Sequence, residues 1–133
     1  MTLREGTFTG ISATLAGTTQ TGSDISLPAG TRGVQMMLDA DLVGSPTSPT
    51  LDVKLQRKDE VSGEYEDITG AALAQKTADA TESLMVYPGM TVVANRSVSN
   101  HPGQVIRVVA TIGGTGYSAS VGWTLTVGIT PLS

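Results

Sequence analysis

Acid–base chemistry near neutral pH is most readily carried by histidine, and this chain has one, His101. It stands in Ser99-Asn-His-Pro-Gly103, a composition typical of turns, and no neighbouring residue completes a Ser-His-Asp arrangement. Cysteine is absent, which removes thiolate nucleophiles, thiolate metal ligands and disulfides. No Gly-x-Ser-x-Gly elbow occurs either. Asp39 and Asp41 share one face of an alternating segment, a spacing able to place two hard oxygens near a calcium ion. Two carboxylates fall far short of the roughly six to eight oxygens such an ion takes, so a solvated face is the simpler reading. Asp59, Glu60, Glu64, Glu66 and Asp67 form an acidic cluster, yet Arg57 and Lys58 adjoin them, as in a projecting, solvated hairpin. Gly113-Gly-Thr-Gly116 lacks the following Lys-Ser or Lys-Thr of a phosphate cradle and reads as a hairpin turn. Trp123, with Tyr65, Tyr87 and Tyr117, could line a sugar-binding platform, although Trp123 lies on an apolar face that favours core packing. No catalytic residue, cofactor site or metal site is expected, and the chain does not read as an enzyme.

The elements that position these residues are strands. The chain has 133 residues, 39% hydrophobic and only 15% charged, against about 25% charged in an ordinary soluble domain. Its surface must therefore be rich in Ser, Thr, Gly and Asn. Sixteen glycines and six prolines fit an all-β chain with many turns. A net charge of -4 with eight basic residues supplies no patch for nucleic acid. No run approaches the roughly eighteen apolar residues of a membrane-spanning helix, and the first residues lack the apolar core of a signal peptide. Synthesis in the cytoplasm, without membrane or nucleic-acid partners, is expected.

Residues 1–10 read as an N-terminal arm or short strand, and 11–133 as one β-sandwich domain. Ile11, Ala13 and Leu15 open the first strand, and Ile25 and Leu27 could add an edge strand. Val34, Met36, Leu38, Ala40 and Leu42 share one face of a core strand. Gly44 to Thr50, with two prolines, reads as a connector. Leu51, Val53 and Leu55 point inward, opposite Asp52, Lys54, Gln56 and Lys58. Ser62-Gly63 marks a hairpin tip, Ala71 to Lys76 the one plausible helical turn, and Thr81 to Tyr87 another strand. Val105 to Ile112 is apolar enough for burial on both faces. Together these give about seven or eight antiparallel strands at roughly ten-residue spacing, the cadence of a β-sandwich or jelly roll.

The last stretch, Tyr117 to Ile129, alternates throughout. Its odd positions are apolar and its even positions are Ser118, Ser120, Gly122, Thr124, Thr126 and Gly128. A solvated strand usually carries some charge, which also discourages edge pairing; this one carries none. Either its even face meets another subunit or partner, or the strand is central and covered by another segment.

The run of Gly33-Val-Gln-Met-Met-Leu-Asp39, Ser48-Pro-Thr-Leu-Asp-Val-Lys-Leu-Gln56, a charged hairpin ending in Tyr65-Glu-Asp-Ile68, and Arg107-Val-Val-Ala-Thr-Ile-Gly-Gly-Thr115 resembles small β-sandwich proteins of tailed bacteriophages, in particular head decoration (cement) proteins. The resemblance spans roughly residues 30 to 130. It implies a jelly-roll-like virion protein on the outer capsid surface that bridges major capsid protein subunits and stabilises the shell. A homo-oligomer, dimer or trimer, is expected from the low charge density and the hydroxyl face. The expected interface comprises Leu3 and Arg4 of the arm with Ser118, Ser120, Thr124 and Thr126. The alternatives are a carbohydrate-binding β-sandwich module and a tail- or fibre-associated virion protein.

Overall fold

The computed structural model describes residues 7–15 and 19–133, with the backbone alone for 13–15. Ten strands follow one another: β1 (Phe8–Leu15), β2 (Gln20–Thr21), β3 (Ile25–Ser26), β4 (Gly33–Val43), β5 (Thr47–Lys58), β6 (Tyr65–Ala72), β7 (Ala80–Val86), β8 (Ser97–Val98), β9 (Val105–Thr115) and β10 (Gly122–Leu132). They build two sheets. Sheet A has the order β1-β10-β4-β7-β8, and sheet B the order β2-β9-β5-β6, with β3 also on β9. All pairings are antiparallel except β7 with the two-residue β8, which is parallel. The molecule is thus an all-β sandwich, with seven strands of seven residues or more among the ten.

The strand pairs are nested. The first long strand pairs with the last, β2 and β3 pair with β9, β4 with β7, and β5 with β6. Alternation decides which side chains meet between the sheets. From sheet A come Val34, Met36, Leu38, Trp123, Leu125 and Ile129, and from sheet B Leu51, Leu55, Ile106 and Val108, all essentially inaccessible to water. β1 and the turn after β2 meet at two glycines. A Cβ on Gly22 would lie 2.1 Å from the Gly10 carbonyl oxygen, so only glycine permits this approach.

Four local expectations are corrected. The segment 44–50 is not wholly connector, because β5 begins at Thr47; Pro46 precedes the strand and Pro49 falls in a register shift between Thr47 and Thr50. Residues 71–76 are not helical: β6 runs through Ala72, and Lys76 pairs across to Leu51. Gly113 to Gly116 is not a hairpin turn, since β9 continues on β5 to Thr115 and the chain then crosses from sheet B to sheet A. Gly114 takes φ 95° there, and a Cβ would fall 2.5 Å from the Ser48 carbonyl oxygen. Finally, Tyr117 to Ile129 is not one strand, because the chain turns at Ser118–Val121 before β10 starts at Gly122. Phe8 to Gly10, expected in the arm or a short strand, belong to β1.

Candidate functional site

The second half of the alternating stretch does form a strand with two unlike faces. Trp123, Leu125, Val127 and Ile129 are buried, while Thr124 and Thr126 are exposed. β10 lies between β1 and β4, so its outward face is the middle of a sheet and not an edge. Register places Thr124 beside Asp41, Thr126 beside Asp39, Gly128 beside Met37 and Thr130 beside Gln35. On the other flank Thr126 faces Ser12 and Gly128 faces Thr9. Beyond β4, β7 adds Thr81, Ser83 and Met85 opposite Asp39, Met37 and Gln35. The face is therefore hydroxyl-rich, as expected, but two carboxylates and a half-exposed Met37 stand at its centre.

Gly128 contributes no side chain, and the surface dips there. Thr7, Gln35, Met37, Asp39, Thr126 and Thr130 rim a groove of about 370 Å³ beside it. A Cβ at Gly128 would touch only the Thr7 methyl, at 3.5 Å, so packing does not require the dip. Asp39 accepts a hydrogen bond from Thr81 Oγ1 at 3.3 Å. Among the described residues neither Asp39 nor Asp41 makes an ion pair.

Of the other expected interface residues, Ser118 and Ser120 sit in the tight turn before β10, where Ser118 N–H donates to Val121 O at 3.0 Å and Ser120 N–H to Ser118 Oγ at 3.3 Å. Both are exposed, but they are not on the strand face of Thr124 and Thr126. Leu3 and Arg4 lie outside the described residues. Sequence reasoning missed Asp39, Asp41 and Met37 as neighbours of Thr124 and Thr126. It had placed the aspartates on one outward face, and only the pairing of β4 with β10 was lacking.

The outer face of sheet B is built from opposite materials. The Arg107 guanidinium lies 3.4 Å from the centre of the Tyr65 ring and donates to Gln56 Oε1 at 2.8 Å. Gln56 in turn donates to Asp67, which also pairs with Lys54 at 3.0 Å. Tyr65 Oη and Lys58 Nζ both donate to Asp24. Hydrogen bonding from Tyr65, then from Lys58, holds the Asp24 carboxyl below the usual range, and bonds from Gln56 and Lys54 do the same for Asp67. On the opposite face of β5, Arg57 pairs with Glu66 at 2.6 Å and donates to the His101 carbonyl oxygen at 2.8 Å. At the sandwich margin, Glu82 holds Lys76 and Arg96 in a third, half-buried ionic cluster.

The residues weighed for chemistry are dispersed. His101 is exposed, and its hydrogen bonds are made by backbone N–H and C=O. Among the described residues no group of three or more His, Cys, Asp or Glu could hold a metal ion. Trp123 is fully buried in the core. Tyr65 is covered by Arg107, and the Tyr87 and Tyr117 hydroxyls donate to the carbonyl oxygens of Ser133 and Gly113. The four do not form a row of exposed rings of the kind a sugar platform needs. Comparisons with protein-family models, with curated proteins and with solved structures find no match to this chain.

Proposed function

We propose that the chain is a structural protein of a tailed-phage virion, a decoration protein that binds the outer surface of the capsid and bridges major capsid protein subunits. The observation that carries this reading is the outer face of sheet A: a central surface of Thr, Ser and Gly around Met37 and two aspartates without an ion pair among the described residues, suited to contact over area and not to turnover. The nested pairing of first strand with last, inward to β5 with β6, supports the jelly-roll reading of the sandwich. It is the order a two-stranded ribbon takes when folded over on itself.

The mechanism requires no chemistry. A protein that binds only the assembled shell stabilises it by mass action, and many modest contacts on a symmetric lattice add through multivalency. Self-association into a dimer or trimer belongs to the same reading, through other surface; Val92 and Val93, 65% and 52% exposed on the loop before β8, offer apolar area for contacts between copies. Cryo-electron microscopy of the source particle tests the proposal. Density for the sandwich on the outside of the capsid is the expected result, whereas density confined to the tail, or none in the virion, refutes it.

A further inference from the structure

The outer face of sheet A is large, lies in the middle of a sheet and has a definite charge. Asp39 and Asp41 lie in register with Thr126 and Thr124. At the other registered outward positions whose side chains are described stand Thr9, Ser12, Gln35, Met37, Val43, Thr81, Ser83, Met85, Gly128 and Thr130, with no lysine or arginine. The contrast with sheet B is chemical: on its outer face Lys54 and Lys58 each hold a carboxylate at 3.0 Å, and Asp52 accepts a hydrogen bond from Gln75 at 2.9 Å. Among the described residues Asp39 and Asp41 have no cation partner, and a face that carries two carboxylates and no described lysine or arginine is complementary to a basic surface.

We propose that this face docks on a protein surface presenting lysine or arginine, one of whose side chains enters the groove at Gly128, and that it does not pack on a second copy of itself. Long basic side chains lay their methylene stems on apolar surface and keep the charged head at a polar site. The groove offers both parts: Met37, between Thr126 and Thr130 in the lining, for the stem, and Asp39 at its rim for the head. Asp39 and Asp41 are alternate residues of one strand, so their carboxylates repeat at about 7 Å, and the partner's cations need a matching repeat. Self-packing fails on the same geometry. A two-fold contact brings a patch onto itself, and here it would desolvate four aspartates without a cation.

The inference deepens the decoration reading and rests on it only for the partner being a shell protein. It is tested without the shell by titrating the full-length, isotope-labelled chain with a short Lys-Thr-Lys-Thr-Lys peptide and following backbone amide shifts. Shifts grouped at Met37, Asp39, Asp41, Thr124, Thr126 and Gly128, abolished by about 0.5 M salt and by the double change Asp39→Asn, Asp41→Asn, are the expected result. Gly128→Val, which fills the groove and leaves both carboxylates, is expected to weaken binding at least several-fold. Shifts centred instead on Glu60 and Glu64 of the hairpin, shifts unchanged in the Asn variant, or none at all overturn the assignment. So does a solution dimer that dissociates on Thr126→Lys. The two readings fail separately. Peptide binding at this face with no chain in the virion leaves the surface standing and removes the capsid role; capsid binding undiminished in the Asn variant does the reverse.

Discussion

The two outer faces of the sandwich solve the same problem with different chemistry. Sheet B is laced by side chains that bind one another: Arg107 on Tyr65, Gln56 between Arg107 and Asp67, Lys58 on Asp24. Sheet A carries short hydroxyl side chains, a glycine dip and two aspartates without cation partners among the described residues. Cross-linked polar groups spend their hydrogen-bonding capacity within the fold, while unpaired ones keep it for a partner. The first kind of face contributes to stability and the second, under the docking proposal, serves recognition, so substitutions on the two should separate by readout.

The largest effect belongs to neither face and sets the scale. Leu125 is 1% exposed on the inner side of the strand that carries Thr124 and Thr126. Leu125→Ala should cost about 3 kcal/mol, through lost burial plus the cavity left behind, read as a shift in the urea midpoint at constant slope. A cost under about 1 kcal/mol would mean that β10 is not the core strand described. Next comes the knot on sheet B. Arg107→Ala removes the stack on Tyr65 and the bond to Gln56 and should cost about 1–2 kcal/mol. No loss at all would show that face to be as dispensable to the fold as the other.

Much of this division is legible along the chain, and what is not has identifiable causes. Strands β4 and β5 declare themselves because large apolar residues recur at period two, β9 because it is almost continuously apolar, and Lys54 and Lys58, outward on β5, do join the sheet B lattice. Ala71 to Lys76 misleads because its three alanines favour helix, whereas Ala71 and Leu73 are buried two apart, at strand spacing, and Lys76 pairs with Leu51. Tyr117 to Val121 imitates a strand because Ala119 is too small for its position in the pattern to mean burial, and it is exposed in the turn. Gly113 to Gly116 has turn composition, but whether such a turn folds back or crosses to the other sheet depends on strand pairing that no local pattern encodes. The same gap hid the site. Asp39 and Thr126 are 87 positions apart and become neighbours only through the β4–β10 ladder.

Acid should act through sheet B. Asp24 and Asp67 have native pKa values depressed below the ordinary 3.8 by their hydrogen-bond and lysine partners, so the unfolded chain binds their protons first as pH falls. Their contribution is complete above that value and is lost as pH drops below it through the native pKa values. Both carboxylates are more than a third exposed, so the effect is modest and screened by salt. Denaturation midpoints of wild type and of Asp24→Asn with Asp67→Asn, measured between about pH 5 and pH 2, should converge at the acid end. A gap that stays constant across that range would remove the lattice as the source of the acid sensitivity.

The smallest effect on stability is the most discriminating. Thr126 is exposed, with Asp39 opposite it on β4 and Ser12 opposite on β1. In Thr126→Lys the new ammonium finds a carboxylate across the strand, a pairing that contributes a few tenths of a kcal/mol at most on such a surface, set against a comparable loss of β-propensity. The fold should therefore hold within about 0.5 kcal/mol of wild type, where a segment covering β10 from outside would impose several times that. Docking should nonetheless be lost, because the added amine occupies the groove and neutralises the carboxylate that a partner's cation would meet. A variant that melts with wild type and still binds a basic partner as wild type does would erase the distinction between the two faces.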